Sequence, residues 1–201
     1  MHLLKHRSIR FYVGFILIFA MAIGGSTIAA FADSSTGANV AVTGGSLSEA
    51  APTSVAATPV TLTGDDQTTT FSLVLTVTDP RGTGAGWKLN ISATQFTAGT
   101  NKLPTNATTI QGAPTTVSCT SAAVLGNSSG TCTNPTPGTI SYPLTVTTGG
   151  VPFFTANSTT GLGKFSITQP VTVFIPANTT LGSGGTATFS STIAVSIVSG
   201  P

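Results

Sequence analysis

Apolar side chains recur at every second residue in several short runs of this chain. Phe71, Leu73, Leu75 and Val77 fall on one side, with Ser72, Thr76 and Thr78 on the other. Trp87, Leu89 and Ile91 alternate in the same way with Lys88, Asn90 and Ser92. A period of two is the mark of a half-buried strand. The two runs are joined by the stretch from Asp79 to Ile91, DPRGTGAGWKLNI, and the rest of the chain is arranged around it. Pro80, Gly82, Gly84 and Gly86 exclude a helix there and allow a tight bend through positive φ.

Weaker alternation continues in both directions. A short strand is expected near Asn39 to Val42, and Pro59 to Thr63 alternates ahead of the turn signal Gly64-Asp65-Asp66-Gln67. Two more short strands are expected near Thr108 to Ile110 and Thr115 to Cys119. Ile140, Tyr142, Leu144 and Val146 alternate while Pro143 faces the other way. Proline cannot donate to a ladder, so this strand is expected at a sheet edge. Phe165 and Ile167 start one strand, and Val171, Val173 and Ile175 make a further one ended by Pro176. Phe189, Ile193, Val195 and Ile197 share one face of the last run, after the flexible Gly182-Ser183-Gly184-Gly185. Beyond the amino-terminal segment no run of ten or more residues has a helical period. The 12 prolines and 23 glycines suit many turns. Together these features predict an all-β fold, a single antiparallel β-sandwich-like domain.

Residues 1–32 stand apart from that domain. Lys5, Arg7 and Arg10 precede an apolar run from Phe11 to Ile23, and small residues end in Ala30-Phe31-Ala32. This is the pattern of a cleaved signal peptide, leaving residues 33–201 as one β domain. The apolar run is shorter than the roughly 20 residues that span a bilayer, so no stable membrane span is expected after cleavage. No carboxy-terminal sorting motif is apparent, so attachment to a surface is expected to be non-covalent. Within 33–201, Arg81, Lys88, Lys102 and Lys164 stand against Asp33, Glu49, Asp65, Asp66 and Asp79. All the acids lie at or before Asp79 and all the bases after it. Four bases are too few for a nucleic-acid footprint. Cys119 and Cys132, in an exported chain, read as a disulfide, worth on the order of 3 kcal/mol in the chain-entropy view.

Both histidines, His2 and His6, leave with the signal. Ser-His-Asp and Cys-His catalysis and histidine-ligated metals leave with them. The acids crowd into residues 33–79, which disfavours the flanking pair a glycosidase needs. A calcium site from Asp65, Asp66 or Asp79 competes with the simpler reading of Asp65-Asp66 as a turn. The glycines at 182–185 lack the lysine of a phosphate loop. No enzyme, cofactor or metal is expected. Five Asn-X-Ser/Thr sequons, at Asn90, Asn106, Asn127, Asn157 and Asn178, are what a Thr/Ser-rich chain produces by chance. Trp87 has two readings, a packed core anchor or a stacking surface for sugar rings. Its alternation with Leu89 and Ile91 favours the core.

The chain resembles the WxL-domain proteins of Gram-positive-type cell surfaces. Their first motif stands here as Trp87-Lys88-Leu89, preceded by Asp79, Arg81-Gly82-Thr83-Gly84 and Gly86. Their second motif keeps its register at Phe189, Ile193, Ala194, Val195, Ile197 and Pro201. Phe189 stands where the motif has Tyr, Ala194 where it has Thr, and Val195 where it has its second Trp. The resemblance marks Arg81, Trp87, Lys88, Leu89, Phe189, Ile193, Val195, Ile197 and Pro201 as binding or motif residues. It implies a secreted, non-enzymatic surface protein that holds the cell wall non-covalently through peptidoglycan, in company with other secreted surface proteins. The competing reading is a structural subunit of a surface filament or layer, assembled by strand exchange. Low charge, Thr/Ser-rich strands and a loose segment at residues 33–56 motivate it.

Overall fold

A computed structural model of the chain describes residues 37–120 and 133–201. The expected signal peptide lies outside them. Packing divides the chain into Met1–Ala41 and Val42–Pro201. In the first unit the described residues 37–41 are exposed and without regular structure. The second unit carries β1 (Ser48–Ala50), β2 (Gln67–Asp79), β3 (Trp87–Ala93), β4 (Thr97–Ala98), β5 (Asn101–Lys102), β6 (Thr108–Ile110), β7 (Thr116–Cys119), β8 (Leu144–Thr145), β9 (Val151–Ala156), β10 (Gly163–Ile175) and β11 (Ile193–Ser199). The fold is all-β, and every pairing is antiparallel.

The larger sheet runs β1-β2-β10-β6-β8, with β7 also on β10, and the smaller runs β11-β3-β9. Alternation decides which faces meet. Leu73, Leu75 and Val77 of β2, Phe165, Ile167 and Val171 of β10, and Trp87, Leu89 and Ile91 of β3 are all buried in one core. Each such side chain contributes roughly 1.5–3 kcal/mol by leaving water.

The expected strands over residues 71–78 and 87–91 are present, and both extend further. Residues 165–167 and 171–175, expected as separate strands, form the single β10, although Pro170 lies inside it. The ladder explains why. Thr115 N–H donates to Thr168 O (2.9 Å) and Phe174 N–H to Ala107 O (2.9 Å), so even-numbered residues of β10 face β7 and β6. β7 pairs as far as Thr168 and β6 begins at Thr172. Pro170 therefore stands where the neighbour changes and no ladder N–H is called for. Beside it the buried Gln169 donates through Nε2 to Gly112 O (3.1 Å) and Pro170 O (2.9 Å), filling the gap.

Other expectations change. Asn39 to Val42 and Pro59 to Thr63 form no strand. Near Pro59 to Thr63 the chain is tied to β2 by Thr58 N–H to Thr70 O (3.4 Å), and by Thr69 Oγ1 and Gln67 Nε2 donating to Thr58 O and Thr61 O. The alternating run at residues 140–146 shortens to β8, which does lie at a sheet edge. Cys119 ends β7, its N–H held by Asn134 Oδ1 (2.9 Å). Its expected partner Cys132 lies outside the described residues.

Glu49, in β1, gives a first prediction. Burial against β2 pushes its carboxyl above the ordinary value of 4.5. Ionisation is thus harder in the folded than in the unfolded chain. The stability this group contributes is complete below the unfolded pKa and is lost as pH rises through the folded one. Glu49→Gln is expected to flatten the fall of the melting temperature just above pH 4.5, which a thermal-melt series across pH would read.

Candidate functional site

The glycine connection holds the first motif in place. Gly82, Gly84 and Gly86 have φ of 73°, 63° and 71°. At Gly86 a side chain would also collide with the backbone of Ala156 and Asn157. From this bend β3 enters the sandwich with Trp87, Leu89 and Ile91 pointing in and fully buried. The indole packs against Phe154 (centroids 5.6 Å apart, 38° between planes) and Phe165 (6.3 Å, 43°). Its Nε1–H donates to Gly161 O at 3.0 Å. At Gly161, φ is 78° and an added Cβ would lie 2.6 Å from the indole nitrogen, so only glycine fits. Trp87 is a core anchor, hydrogen-bonded as a buried indole should be, and offers no surface to a sugar.

Arg81 is the lock of the same bend. Its Nε and Nη2 donate to Asp79 Oδ1 and Oδ2 at 2.8 and 2.9 Å, and Nη2 also reaches Gly86 O at 2.8 Å. Nη1 donates to Ser199 Oγ at the end of β11. The hydrogen bond to Asp79 raises the guanidinium pKa, burial lowers it somewhat, and the Asp79 charge raises it again. Arg81 is thus committed to structure.

The alternate residues of β3 build a different surface. Lys88, Asn90 and Ser92 face outward, flanked on β11 by Val198, Ser196 and Ala194 in register, and on β9 by Thr155 and Pro152. Asn90, Ser92, Ala194 and Ser196 with Thr148, Gly149 and Gly150 line a shallow trough of about 420 Å3. Among the described residues Lys88 has no ion-pair partner, and no carboxylate lines the trough. An amide, several hydroxyls and turn backbone supply donors and acceptors, and the ammonium supplies one positive charge.

The expected site residues therefore separate. Trp87 and Leu89 are inside, and Arg81 is paired. Ile193, Val195 and Ile197 lie along β11 with side chains half-buried, Phe189 precedes that strand, and Pro201 is exposed. Val195, where the second motif would place tryptophan, pairs with Ile91 and borders a groove of about 280 Å3 with Val55, Leu73 and Ile193. Of the motif residues, Val195 lines the trough from β11, and Lys88 lies on the same outward face of β3 beside it. Asn90, Ser92 and Ser196 escaped selection, although the outward phase of β3 already pointed to the first two.

Residues 37–193 match the WxL domain, a surface cell wall-binding family. The chain belongs to the WxL-domain family. It is thereby a member of a family of binding domains, not of enzymes, whose place is the cell surface and its wall. The match spans the glycine bend, β3 and the core, and ends at the first residue of β11, so Val195, Ile197 and Pro201 lie past it. No curated protein and no solved structure matches the chain. Among the described residues no group of three or more His, Cys, Asp or Glu could hold a metal ion, and no helix is long and apolar enough to cross a membrane.

Proposed function

We propose that this WxL protein is secreted and holds peptidoglycan non-covalently through the outward face of β3 and β11. Membership of a wall-binding family supplies the partner class, and the uncharged polar trough beside Lys88 is the observation that carries the site. Sugar hydroxyls and acetamido groups suit Asn90, Ser92 and Ser196, while Lys88 suits a carboxylate of the stem peptide. Glycan strands are long and repetitive, so a shallow open trough fits them better than a closed pocket.

The test is co-sedimentation with isolated walls before and after muramidase digestion. The unmodified protein is expected in the pellet, released by digestion. The double substitution Lys88→Ala/Asn90→Ala removes one charged and one neutral hydrogen-bonding group. Affinity should drop roughly tenfold or more. The melting temperature should hardly change, because both side chains point outward. Protein left in the supernatant with intact walls, or full binding by the double variant, would reject the assignment.

A further inference from the structure

We propose that the chain assembles head to tail, residues 39–43 of one copy adding as a new strand to the free edge of β11 in the next. The acceptor follows from the ladder of the small sheet. Thr94 N–H donates to Thr192 O (3.0 Å) and Gly200 N–H to Gly86 O (3.1 Å), so even-numbered residues of β11 carry its bonds to β3. The N–H and C=O groups of Ile193, Val195 and Ile197 point the other way, and no backbone partner meets them among the described residues. This edge is seven residues long, Ile-Ala-Val-Ser-Ile-Val-Ser, with no charge and no proline. Such an edge is a template for pairing unless something blunts it.

The other long edge of the small sheet is blunted. Pro152 interrupts β9, Tyr142 Oη donates to Phe153 O (2.6 Å), and Gly138 N–H bonds Thr155 O (2.9 Å) while Asn157 N–H bonds Thr136 O (3.0 Å). In the large sheet, β1 is three residues long and carries Glu49, and β8 is two residues long.

The donor has a strand's sequence without a strand's partner. Residues 39–43 read Asn-Val-Ala-Val-Thr, and Val40 and Val42 are 86% and 87% exposed. Among the described residues no backbone hydrogen bond holds this segment, whereas Gly45 just beyond is fixed by its N–H to Pro80 O at 3.0 Å. Five extended residues reach about 17 Å, enough to lie along Ile193 to Ile197. Val40 and Val42, two residues apart, then present both side chains on one face, toward the groove of about 280 Å3 that Val55, Leu73, Ile193 and Val195 border. Neither residues 37–48 nor residues 165–201 contain a charged side chain, so the pairing buries no charge. The occupant is therefore a second copy of this chain, and repetition of the contact yields a filament.

Sedimentation velocity of the exported chain over a concentration series tests this. A ladder of species growing with concentration is expected. Val40→Asp/Val42→Asp disables the donor through exposed residues that hold nothing in the fold, and Val195→Pro deletes an outward N–H of the acceptor. Each should remain monomeric, while their mixture should give a one-to-one dimer and nothing larger, because one functional joint is left between them. A monomeric unmodified chain at every concentration would overturn the proposal, as would a ladder that survives in Val40→Asp/Val42→Asp. If circular dichroism shows Val195→Pro to be unfolded, the donor variant decides alone. That variant leaves the trough untouched and should still pellet with walls, so loss of assembly and loss of wall binding are read separately.

Discussion

Trp87→Ala is expected to lower the unfolding free energy by about 3–5 kcal/mol, as for other buried aromatic truncations. In a domain of this size that is roughly a 10–15 °C fall in melting temperature. The reasons are local. The indole is fully shielded, lies between Phe154 and Phe165, and holds Gly161 O. Alanine would leave a cavity between the two sheets and an orphaned carbonyl. Trp87→Phe keeps a ring but loses the donor, and should fall between the two. Because no part of Trp87 reaches the surface, protein that remains folded at low temperature should bind walls as the unmodified chain does. Thermal melts and wall sedimentation on one sample read both effects. A well-folded Trp87→Ala variant that no longer binds would move the tryptophan from scaffold to site.

Arg81→Ala is expected to be comparably damaging, about 3–5 kcal/mol in urea unfolding, the range for breaking a buried pair from one side. One guanidinium ties the end of β2, the carbonyl of Gly86 and the last residue of β11. Removing it leaves the Asp79 carboxylate, whose side chain is 0% exposed, without its counter-charge and with the backbone N–H of residue 81 (3.2 Å to Oδ1) as a remaining donor. The Arg81 side chain, by contrast, is 15% exposed and can turn to water. Asp79→Asn should therefore be milder than Arg81→Ala. Replacing both, Asp79→Asn with Arg81→Met, should be milder than Arg81→Ala alone, giving a coupling energy in the double-mutant cycle. Arg81→Lys should rescue little, since a single ammonium cannot fork across both carboxylate oxygens. Equal and additive losses would show that the pair is not a unit.

Local alternation made the centre of the fold legible. β2 and β3 were readable because each has one dry and one wet face, and the glycines between them could only be a bend. β10 read as two strands because a proline inside a central strand normally argues against one, and the change of neighbour at Pro170 is a long-range fact. β9 was invisible for a related reason. A bulge between Leu89 and Asn90 of β3 makes Phe153 an extra residue, so Phe153 and Phe154 are both buried and period two is lost. The candidate site was half legible. Lys88, Asn90 and Ser92 face outward by phase alone, but only the pairing of Ile197 with Leu89 and Val195 with Ile91 brings Ser196 beside Asn90. The motif residues that mark the family are largely inside, so they report the fold, and the proposed binding surface lies largely on the residues between them.

An NMR titration with soluble peptidoglycan fragments tests the central claim most directly. Amide shifts confined to residues 88–92, 148–150 and 194–198, with the Trp87 indole N–H unmoved, are the predicted result. Shifts centred elsewhere on the domain, or none at saturating fragment, would contradict it.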